Sequence, residues 1–408
     1  MKIQFKKIKL QDACEVFVDG DWIESKDQST EGIRLVQTGN IGFGIFKDKD
    51  DKARYISEEV FKRLKCTEIL PGDLLVSRLP DPVGKSCIIP NLNSKMITGV
   101  DCTIIRPKEV LKSEFLCYYQ MSQEYLDDVN LRVSGATRSR ISRKNLGLIE
   151  IPLPPLPEQQ RIVSILDDAF AKIDKAKANY EQNLRNAKEL FKSYLEPIFK
   201  MKGEGWLEKS FADIYDVRDG THDSPKYQTD GYALVTSKNL KNGSLDLYNV
   251  NYISEIDYMN INRRSNVSKG DILFAMIGTI GNPVVIMTEP NFAIKNVALF
   301  KVPSCQDSYF LKYLLSTKTV INRMRSDAKG TTQKFVGLNY LRNFRIFIPP
   351  LEQQRAIVKK LDRLSFETKK LESIYSKKIE DLEEFRKSLL QKAFSGELTA
   401  NEVTLADV

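Results

Sequence analysis

Two clusters of basic residues occupy corresponding places in the two halves of the chain, and their side chains have the chemistry to bind phosphate groups. The segment 130–149 contains five arginine or lysine residues and no acidic residue, and the segment 317–350 contains seven against Asp327 alone. Matched basic loops favour phosphate contact over a merely solvated surface, since arginine and lysine position a protein on nucleic acid without reading its sequence. The residues that we predict to contact the phosphate backbone of DNA are Arg132, Arg138, Arg140, Arg143, Lys144, Lys329 and Lys334.

A second set of side chains could read bases. The segment 219–227 is rich in hydrogen-bond donors, acceptors and turn-forming residues, whereas its counterpart in the first half, residues 19–25, keeps only the turn. The two copies share one fold but differ in this segment, which predicts that the two halves recognise different half-sites. An ordinary surface loop is equally compatible with the pattern. The base-reading candidates are Thr221, His222, Lys226 and Tyr227.

Residues for catalysis or metal binding do not form a recognisable motif. His222 is the single histidine, and the six cysteines are dispersed without a C-x-x-C pair, which argues against a metal cluster. Gly84-Lys85-Ser86 resembles the end of a phosphate-binding loop, but Leu79 stands where such a loop needs its first glycine. We therefore predict no catalytic residue, no metal and no cofactor in this chain; a methyltransferase or nuclease with an unrecognised site is the enzymatic alternative.

The elements that must position these residues occur twice. Pro154-Pro155-Leu156 recurs as Pro349-Pro350-Leu351, and Leu166-Asp167 recurs as Leu361-Asp362, in both cases 195 residues later. The offset rises to 199 towards the N-terminus, as small insertions in surface loops would produce. Solenoid and propeller repeats run to about 20–50 residues, so this period predicts two complete globular domains.

Each domain is predicted to be mixed and β-rich. Short apolar runs bounded by glycine, proline, asparagine and aspartate are typical of strands, and two longer segments have helical spacing. The predicted strands are 73–77, 86–89 and 102–105 in the first copy and 271–277, 283–287 and 297–302 in the second, and the helical segments are 113–127 and 307–325.

A long heptad-patterned helix follows each domain after a stiff proline-rich entry. Each pattern runs for about 35 residues, or roughly 50 Å, which is longer than a domain is wide. The shared phase predicts an antiparallel pair that relates the domains by a pseudo-twofold axis and holds them apart. Misalignment of Glu352 with Pro157 indicates that the second helix starts one residue out of step. The predicted pairing residues are Ile162, Leu166, Ile173, Tyr180, Leu190, Ile357, Leu361, Leu371, Tyr375, Leu382 and Leu389.

Bulk composition limits the class of protein. The chain has 408 residues, 42% of them hydrophobic, and a net charge of +8, which favours an anionic partner such as nucleic acid. No apolar run approaches the roughly 18 residues of a membrane helix, and Met1–Leu10 lacks the apolar core of a signal peptide. We therefore expect a cytoplasmic protein.

The order of domain, helix, second domain and second helix closely resembles the specificity subunit of type I restriction-modification systems. The resemblance covers nearly the whole chain, and its motifs are specific in combination although each is weak alone. They are Gly135-x-Thr137, Gly330-x-Thr332, Glu158-Gln159-Gln160-Arg161, Glu352-Gln353-Gln354-Arg355, the string Gly220-Thr221-His222-Asp223-Ser224-Pro225 and the closing segment 389–398.

The resemblance implies a non-catalytic subunit that reads a bipartite, asymmetric DNA site through two target recognition domains. It further implies two docked methyltransferase subunits joined by restriction subunits, with S-adenosylmethionine, ATP and magnesium used by those partners. A coiled-coil scaffold with two protein-binding domains is the structural alternative. The implied limits are 1–153 for the first domain, 154–200 for the central helix, 201–348 for the second domain, 349–398 for the C-terminal helix and 399–408 for a tail.

Overall fold

The computed structural model describes residues 5–135, 139–201, 203–241, 243–330 and 334–399. The chain divides into two compact units. The first unit comprises Met1–Tyr180 together with Lys377–Val408, and the second unit comprises Glu181–Ser376. Each unit contains one globular domain and parts of both long helices.

Among the residues that the structure describes, the first domain contains three sheets and four short α-helices. Its strands are β1 (Lys7–Lys9), β2 (Cys14–Asp19), β3 (Gln28–Ser29), β4 (Ile33–Val36), β5 (Arg54–Ile56), β6 (Leu74–Ser77), β7 (Ser86–Ile88), β8 (Met96–Thr98), β9 (Cys102–Pro107) and β10 (Glu150–Pro152). Its helices are α1 (Glu58–Leu64), α2 (Ser113–Tyr119), α3 (Gln123–Leu131) and α4 (Arg143–Gly147), and the long helix α5 (Leu156–Lys200) follows. The sheet orders are β2-β9-β6-β7, β3-β5-β4-β8 and β1-β10, with only β4 and β8 parallel among these pairs.

The second domain repeats this plan. Its strands are β11 (Leu207–Ser210), β12 (Asp216–Asp219), β13 (Tyr232–Val235), β14 (Leu240–Lys241), β15 (Ser244–Leu245), β16 (Asn251–Ile253), β17 (Ile272–Ala275), β18 (Gly281–Val285), β19 (Phe292–Ile294), β20 (Val297–Lys301) and β21 (Arg345–Ile348). Its helices are α6 (Glu255–Ser265), α7 (Ser308–Leu315), α8 (Lys318–Ser326) and α9 (Leu338–Asn343), followed by the long helix α10 (Leu351–Phe394). The sheet orders are β12-β20-β17-β18, β16-β13-β19, β14-β15 and β11-β21.

The predicted mixed fold and the six predicted strands are confirmed. The apolar runs of the central strands are explained by their side chains, which point alternately to the two faces of the sheet. Ile272 and Phe274 of β17 pack in the apolar cluster that includes residues of both long helices, whereas Leu273 and Ala275 pack in a second cluster on the other side of the sheet. Successive side chains of a strand point to opposite faces, so a strand that is covered on both faces needs an unbroken apolar run.

The long helices pack against each other in antiparallel directions, as predicted. In the first unit, Arg386 pairs with Asp174 at 2.9 Å, and Lys177 forms an ion pair with Glu383. The residue number therefore rises by three along α5 while that of its partner falls by three along α10. The Lys177 ammonium lowers the pKa of the Glu383 carboxyl, which indicates that the ionised pair is the favoured state.

A buried glutamine fixes the start of each long helix. The side chain of Gln159 donates to the carbonyl of Pro154 at 2.8 Å and accepts from the backbone N–H of Lys112 at 2.8 Å. Gln354 makes the equivalent bonds, with Asp307 as the backbone donor. The helices begin at positions 195 residues apart, so the predicted one-residue shift is wrong. The buried glutamine has the same place in both helices, whereas the glutamate near the start does not.

A tyrosine also ties each domain to its helix. The hydroxyl of Tyr118 donates to Asp167 at 2.5 Å, and that of Tyr313 donates to Asp362 at 2.6 Å. Burial, and secondarily these hydrogen bonds, raise the pKa of both phenols above the usual value. The recurring tyrosine and aspartate of the sequence repeat are therefore docking contacts.

We expect Tyr118→Phe combined with Tyr313→Phe to lower the free energy of unfolding by about 1 kcal/mol per site, because each removes one partly exposed hydrogen bond to a carboxylate. A raised phenol pKa contributes stability below about pH 10 that is lost as pH rises further, once the unfolded chain ionises. Urea denaturation near neutral pH and near pH 10.5 measures both effects. The double variant should lose less stability than the parent between these pH values, and an equal loss would argue against the contacts.

The heptad pattern predicts only part of the helix pairing. Ile162, Leu166, Ile173 and Leu389 are buried in the first unit with Leu382 packed against them, and Leu361 is buried in the second unit with Ile357 packed against it. Tyr180 is half-buried beneath the Lys378 ammonium, which lies 5.2 Å from the ring centre, and Tyr375 is half-buried in the second unit.

Leu190 and Leu371 are corrections to that prediction. Both lie outside the apolar clusters, with 47% and 37% of their surface exposed. A helix with 3.6 residues per turn drifts by about 20° per heptad from a strict seven-residue repeat, and Leu190 is four heptads beyond the first predicted contact. Phe191 and Leu195 take over the inward face and pack in the cluster of the second unit.

Within the described ranges, no helix is both long enough and apolar enough to cross a membrane.

Candidate nucleic-acid interface

Each predicted basic loop is closed at its base by a pair of backbone hydrogen bonds. Ser134 and Arg140 exchange bonds of 2.9 and 2.8 Å, and Lys329 and Phe335 exchange bonds of 3.0 and 2.9 Å. These pairs lie at the same position in the two copies. The glycine after the first residue of each pair has a φ of 111° or 100°, a backbone conformation that L side chains rarely adopt. The recurring glycine is therefore a requirement of the turn.

The same loops are anchored to the central sheet by matching bonds. The N–H of Ile141 donates to the carbonyl of Arg78 at 3.2 Å, and the N–H of Val336 donates to the carbonyl of Met276 at 2.9 Å. Arg78 and Met276 each directly follow the central strand of their domain, β6 and β17. The two basic loops are thus attached to the sheet by the same backbone hydrogen bond, although the residues that form it differ.

The basic side chains of the first loop differ in whether they are exposed or held in ion pairs. Arg143 and Lys144 are exposed on α4, the helix that follows the loop. Arg140 pairs with Asp101 at 3.3 Å, and Arg132, the residue after α3, forms an ion pair with Asp128 of that helix. Arg138 lies outside the described residues.

In the second loop, Lys329 and Lys334 are exposed while their backbone is fixed. The carbonyl of Lys334 accepts from the N–H of Gly278 at 3.0 Å, and Lys329 is held by its pair with Phe335. An exposed ammonium on an anchored backbone suits contact with a phosphate, and phosphate contact by these residues stays a prediction.

We expect Arg143→Ala with Lys144→Ala to weaken binding to all DNA sequences about equally. Loss of two phosphate contacts should make the plot of log affinity against log salt less steep by about two, at roughly 0.9 per contact. Fluorescence anisotropy with a short duplex at several salt concentrations measures the slope. Lys359→Ala with Lys360→Ala, an equally exposed basic pair on α10, is the matched control and should leave the slope unchanged. Equal slopes for all three proteins would argue against phosphate contact by α4.

The segment predicted to read bases follows β12, and its counterpart follows β2. At Gly220 an added Cβ would lie 2.0 Å from the carbonyl oxygen of Ile294, and at Gly20 it would lie 2.4 Å from the carbonyl oxygen of Thr98. Only glycine allows the chain to pass so close to the neighbouring strand. The two loops therefore leave equivalent points of the two domains by the same route.

The structure places the predicted base-reading residues in unequal positions. Lys226 and Tyr227 are exposed, and Thr221 is half-buried. His222 is exposed, but both its ring nitrogens are engaged: Nε2 with a carboxylate oxygen of Asp219 at 3.0 Å, and Nδ1 with the side-chain amide of Asn296 at 2.8 Å. His222 therefore has no ring nitrogen left for a base unless one of these contacts breaks.

A cleft of about 280 Å³ opens beside this loop. The loop contributes one wall and α6 contributes the other. The cleft is lined by Thr221, Asp223, Ser224, Pro225, Asp257, Asn260, Ile261 and Arg264. Sequence reasoning missed the residues on α6, because the helix follows the loop by more than 25 residues and only the fold brings the two together.

The first domain has a larger cleft, of about 500 Å³, at the equivalent loop. Its lining includes Trp22, whose surface is 71% exposed, and Arg140 of the basic loop. Burial raises the pKa of the Asp21 carboxyl in the same wall. Both clefts present hydroxyl, amide, guanidinium and carboxylate groups, but only the first adds an exposed indole ring, that of Trp22, and a residue predicted to contact phosphate.

Among the residues that the structure describes, no group of three or more His, Cys, Asp or Glu side chains is placed to hold a metal ion. The arrangement that is present consists of two anchored basic loops and two clefts with different polar linings. Such an arrangement can bind a polyanion and discriminate between two different sequences.

Comparison with known proteins agrees with this arrangement. A family described as the type I restriction modification DNA specificity domain matches residues 2–183 and 203–381. The EcoKI specificity subunit of a type I restriction enzyme from Escherichia coli is 22% identical over 395 residues, covering 90% of this chain and 82% of the relative.

Two solved structures have similar folds. One belongs to a study of complex assembly and conformational transition in a type I restriction-modification system, with a TM-score of 0.77, 18% identity and coverage of 97% of this chain and 98% of the other. The other is the HsdS subunit from Thermoanaerobacter tengcongensis, with a TM-score of 0.63, 18% identity and 97% coverage of both chains.

Proposed function

This chain belongs to the type I restriction modification DNA specificity family and is the DNA-recognition subunit of such a system, and from this premise we propose that its two domains read the two halves of a bipartite, asymmetric site. The observation that carries the proposal is the pair of loops that leave the two domains at equivalent glycines and line clefts with different side chains, Trp22 in the first and Arg264 of α6 in the second. Two domains of the same fold whose clefts are lined by different side chains suit two different half-sites.

We further propose that the chain is non-catalytic and that two methyltransferase subunits and the restriction subunits dock on it. S-adenosylmethionine, ATP and magnesium would then be used by those partners. Reaction chemistry would reside in the partners, and sequence choice would reside in this chain. The use of the paired helices to set the separation of the half-sites stays a prediction.

Methylation mapping of genomic DNA tests the proposal. Cells that carry the complete restriction-modification system are compared with cells lacking only this chain. We expect a bipartite motif with an unspecified spacer that is methylated in the first strain and unmethylated in the second. A motif that persists without the chain, or a contiguous motif that depends on it, would refute the proposal.

A further inference from the structure

The two domains share a carboxylate at the end of the strand that leads into the recognition loop. Asp19 ends β2, and Asp219 ends β12. Asp19 pairs with Arg78 at 3.1 Å, and Asp219 pairs with Arg264. Each aspartate immediately precedes the glycine at which the loop passes close to the neighbouring strand. The carboxylate is therefore common to both domains, and the arginine that meets it is not.

The two arginines differ in their access to solvent. The Arg78 side chain is only 6% exposed, and its burial lowers the pKa of the guanidinium against the opposing effect of Asp19. The Arg264 side chain is 57% exposed and lines the cleft of the second domain. An arginine that is enclosed in the protein cannot reach a base edge, whereas Arg264 can do so while it remains paired.

Arg264 has its position because α6 is longer than its counterpart. Both helices start after a serine cap, Ser57 or Ser254, and both end at a residue in the left-handed conformation, Lys65 or Asn266. The helix α1 has 7 residues and α6 has 11, so α6 has about one additional turn. Arg264 lies in that turn.

The surroundings hold Arg264 rigidly. The Asp219 carboxylate is 4% exposed; one oxygen accepts from Arg264 and the other from Nε2–H of His222 at 3.0 Å. Stacking of Tyr258 on Tyr232, with ring centres 4.0 Å apart, fixes α6 to β13. A guanidinium held in this way loses little conformational freedom when it binds, and its N–H groups that do not meet Asp219 remain available.

We propose that Arg264 is a sequence-reading residue of the second domain and donates to the acceptor edge of a guanine, with Asp219 as its positioning residue. Guanine presents O6 and N7 as acceptors in the major groove, and arginine is their commonest partner. Adenine and cytosine present amino groups at the corresponding positions, which would place donor against donor. His222 secures the far side of the Asp219 carboxylate. This inference rests on the proposed function, since it assigns one base of the half-site read by the second domain.

The test is methylation mapping in cells that carry the complete system with Arg264→Ala, Arg264→Gln or Asp219→Asn in this chain. Arg264→Ala should relax one guanine in one half of the motif and leave the other half unchanged, with a roughly tenfold to hundredfold loss of preference for that guanine in binding assays. Arg264→Gln should move the preference towards adenine, the base that glutamine pairs with best. Asp219→Asn should relax the same position as Arg264→Ala.

Arg263→Ala is the matched control, because Arg263 is the neighbouring exposed arginine in the same last turn of α6. It removes the same charge and should leave the motif unchanged. If Arg264→Ala abolishes methylation altogether, Arg264→Gln decides: retained methylation with weaker guanine preference supports the proposal, and retained methylation with full guanine preference overturns it. An unchanged motif in Arg264→Ala, or a uniform weakening of both halves, also overturns it. Should no motif depend on the chain at all, the proposed function itself fails.

Discussion

Phe394→Ala should destabilise the first unit by about 3–5 kcal/mol, although residue 394 follows the second domain in the sequence. The Phe394 ring is buried and packs edge-on against Phe115 and Tyr119, with ring centres 5.4 and 5.2 Å away. Truncation of a buried aromatic ring loses its transfer free energy and leaves a cavity. Hydrogen exchange should accelerate in α2 and α3 of the first domain as well as at the end of α10.

Phe366→Ala is the matched control for that experiment. Phe366 lies on the same helix, but 67% of its surface is exposed, and an exposed substitution of this kind usually changes stability by less than about 0.5 kcal/mol. Exchange confined to the last turns of α10 in Phe394→Ala, with α2 and α3 unaffected, would show that the helix end does not support the first domain.

The second large effect is expected from the buried glutamine at the start of α5. Gln159→Ala should lower the free energy of unfolding of the first unit by about 3 kcal/mol, because it leaves the half-buried N–H of Lys112 and the buried carbonyl of Pro154 without their partner. A cavity adds to this loss. Chemical denaturation, with limited proteolysis at the proline-rich segment, measures the change.

Gln160→Ala provides the comparison, since Gln160 is the adjacent residue of the same type and is exposed. Its expected effect is below about 0.5 kcal/mol. Similar losses for both variants would mean that helix propensity, and not the buried amide, accounts for the change. A further check is Gln354→Ala, which should produce the same loss in the second unit.

Recurrence in the sequence predicted that the two copies share one fold, although the contacts made by the recurring residues became clear only in the structure. Gln159 and Gln354, and the tyrosine–aspartate pairs of the two domains, recur because each attaches a helix to its own domain. The strands were predictable because a sheet covered on both faces requires continuous apolar runs. Strands and repeated domains can therefore be predicted from local sequence pattern.

The recognition surface was less predictable, because its contacts join distant residues. Asp219 meets Arg264 across 45 positions, and His222 meets Asn296 across 74. The single histidine was predicted to read bases, but its ring is engaged within the protein. Arg264 has no counterpart in the shorter α1, so the repeat gave no signal for it. The predicted heptad contact at Leu190 failed for a different reason, the drift of an α-helix from a seven-residue period.

The core of the first unit includes residues from the end of α10, and this has a consequence for folding during synthesis of the protein. Its core includes Leu389, Leu390, Ala393 and Phe394, which are translated after the whole second domain. A nascent chain that has completed its first 180 residues therefore still exposes the apolar surface that these side chains will cover. The first domain should reach its final stability only when the last turns of α10 leave the ribosome, and until then its uncovered apolar surface is open to aggregation.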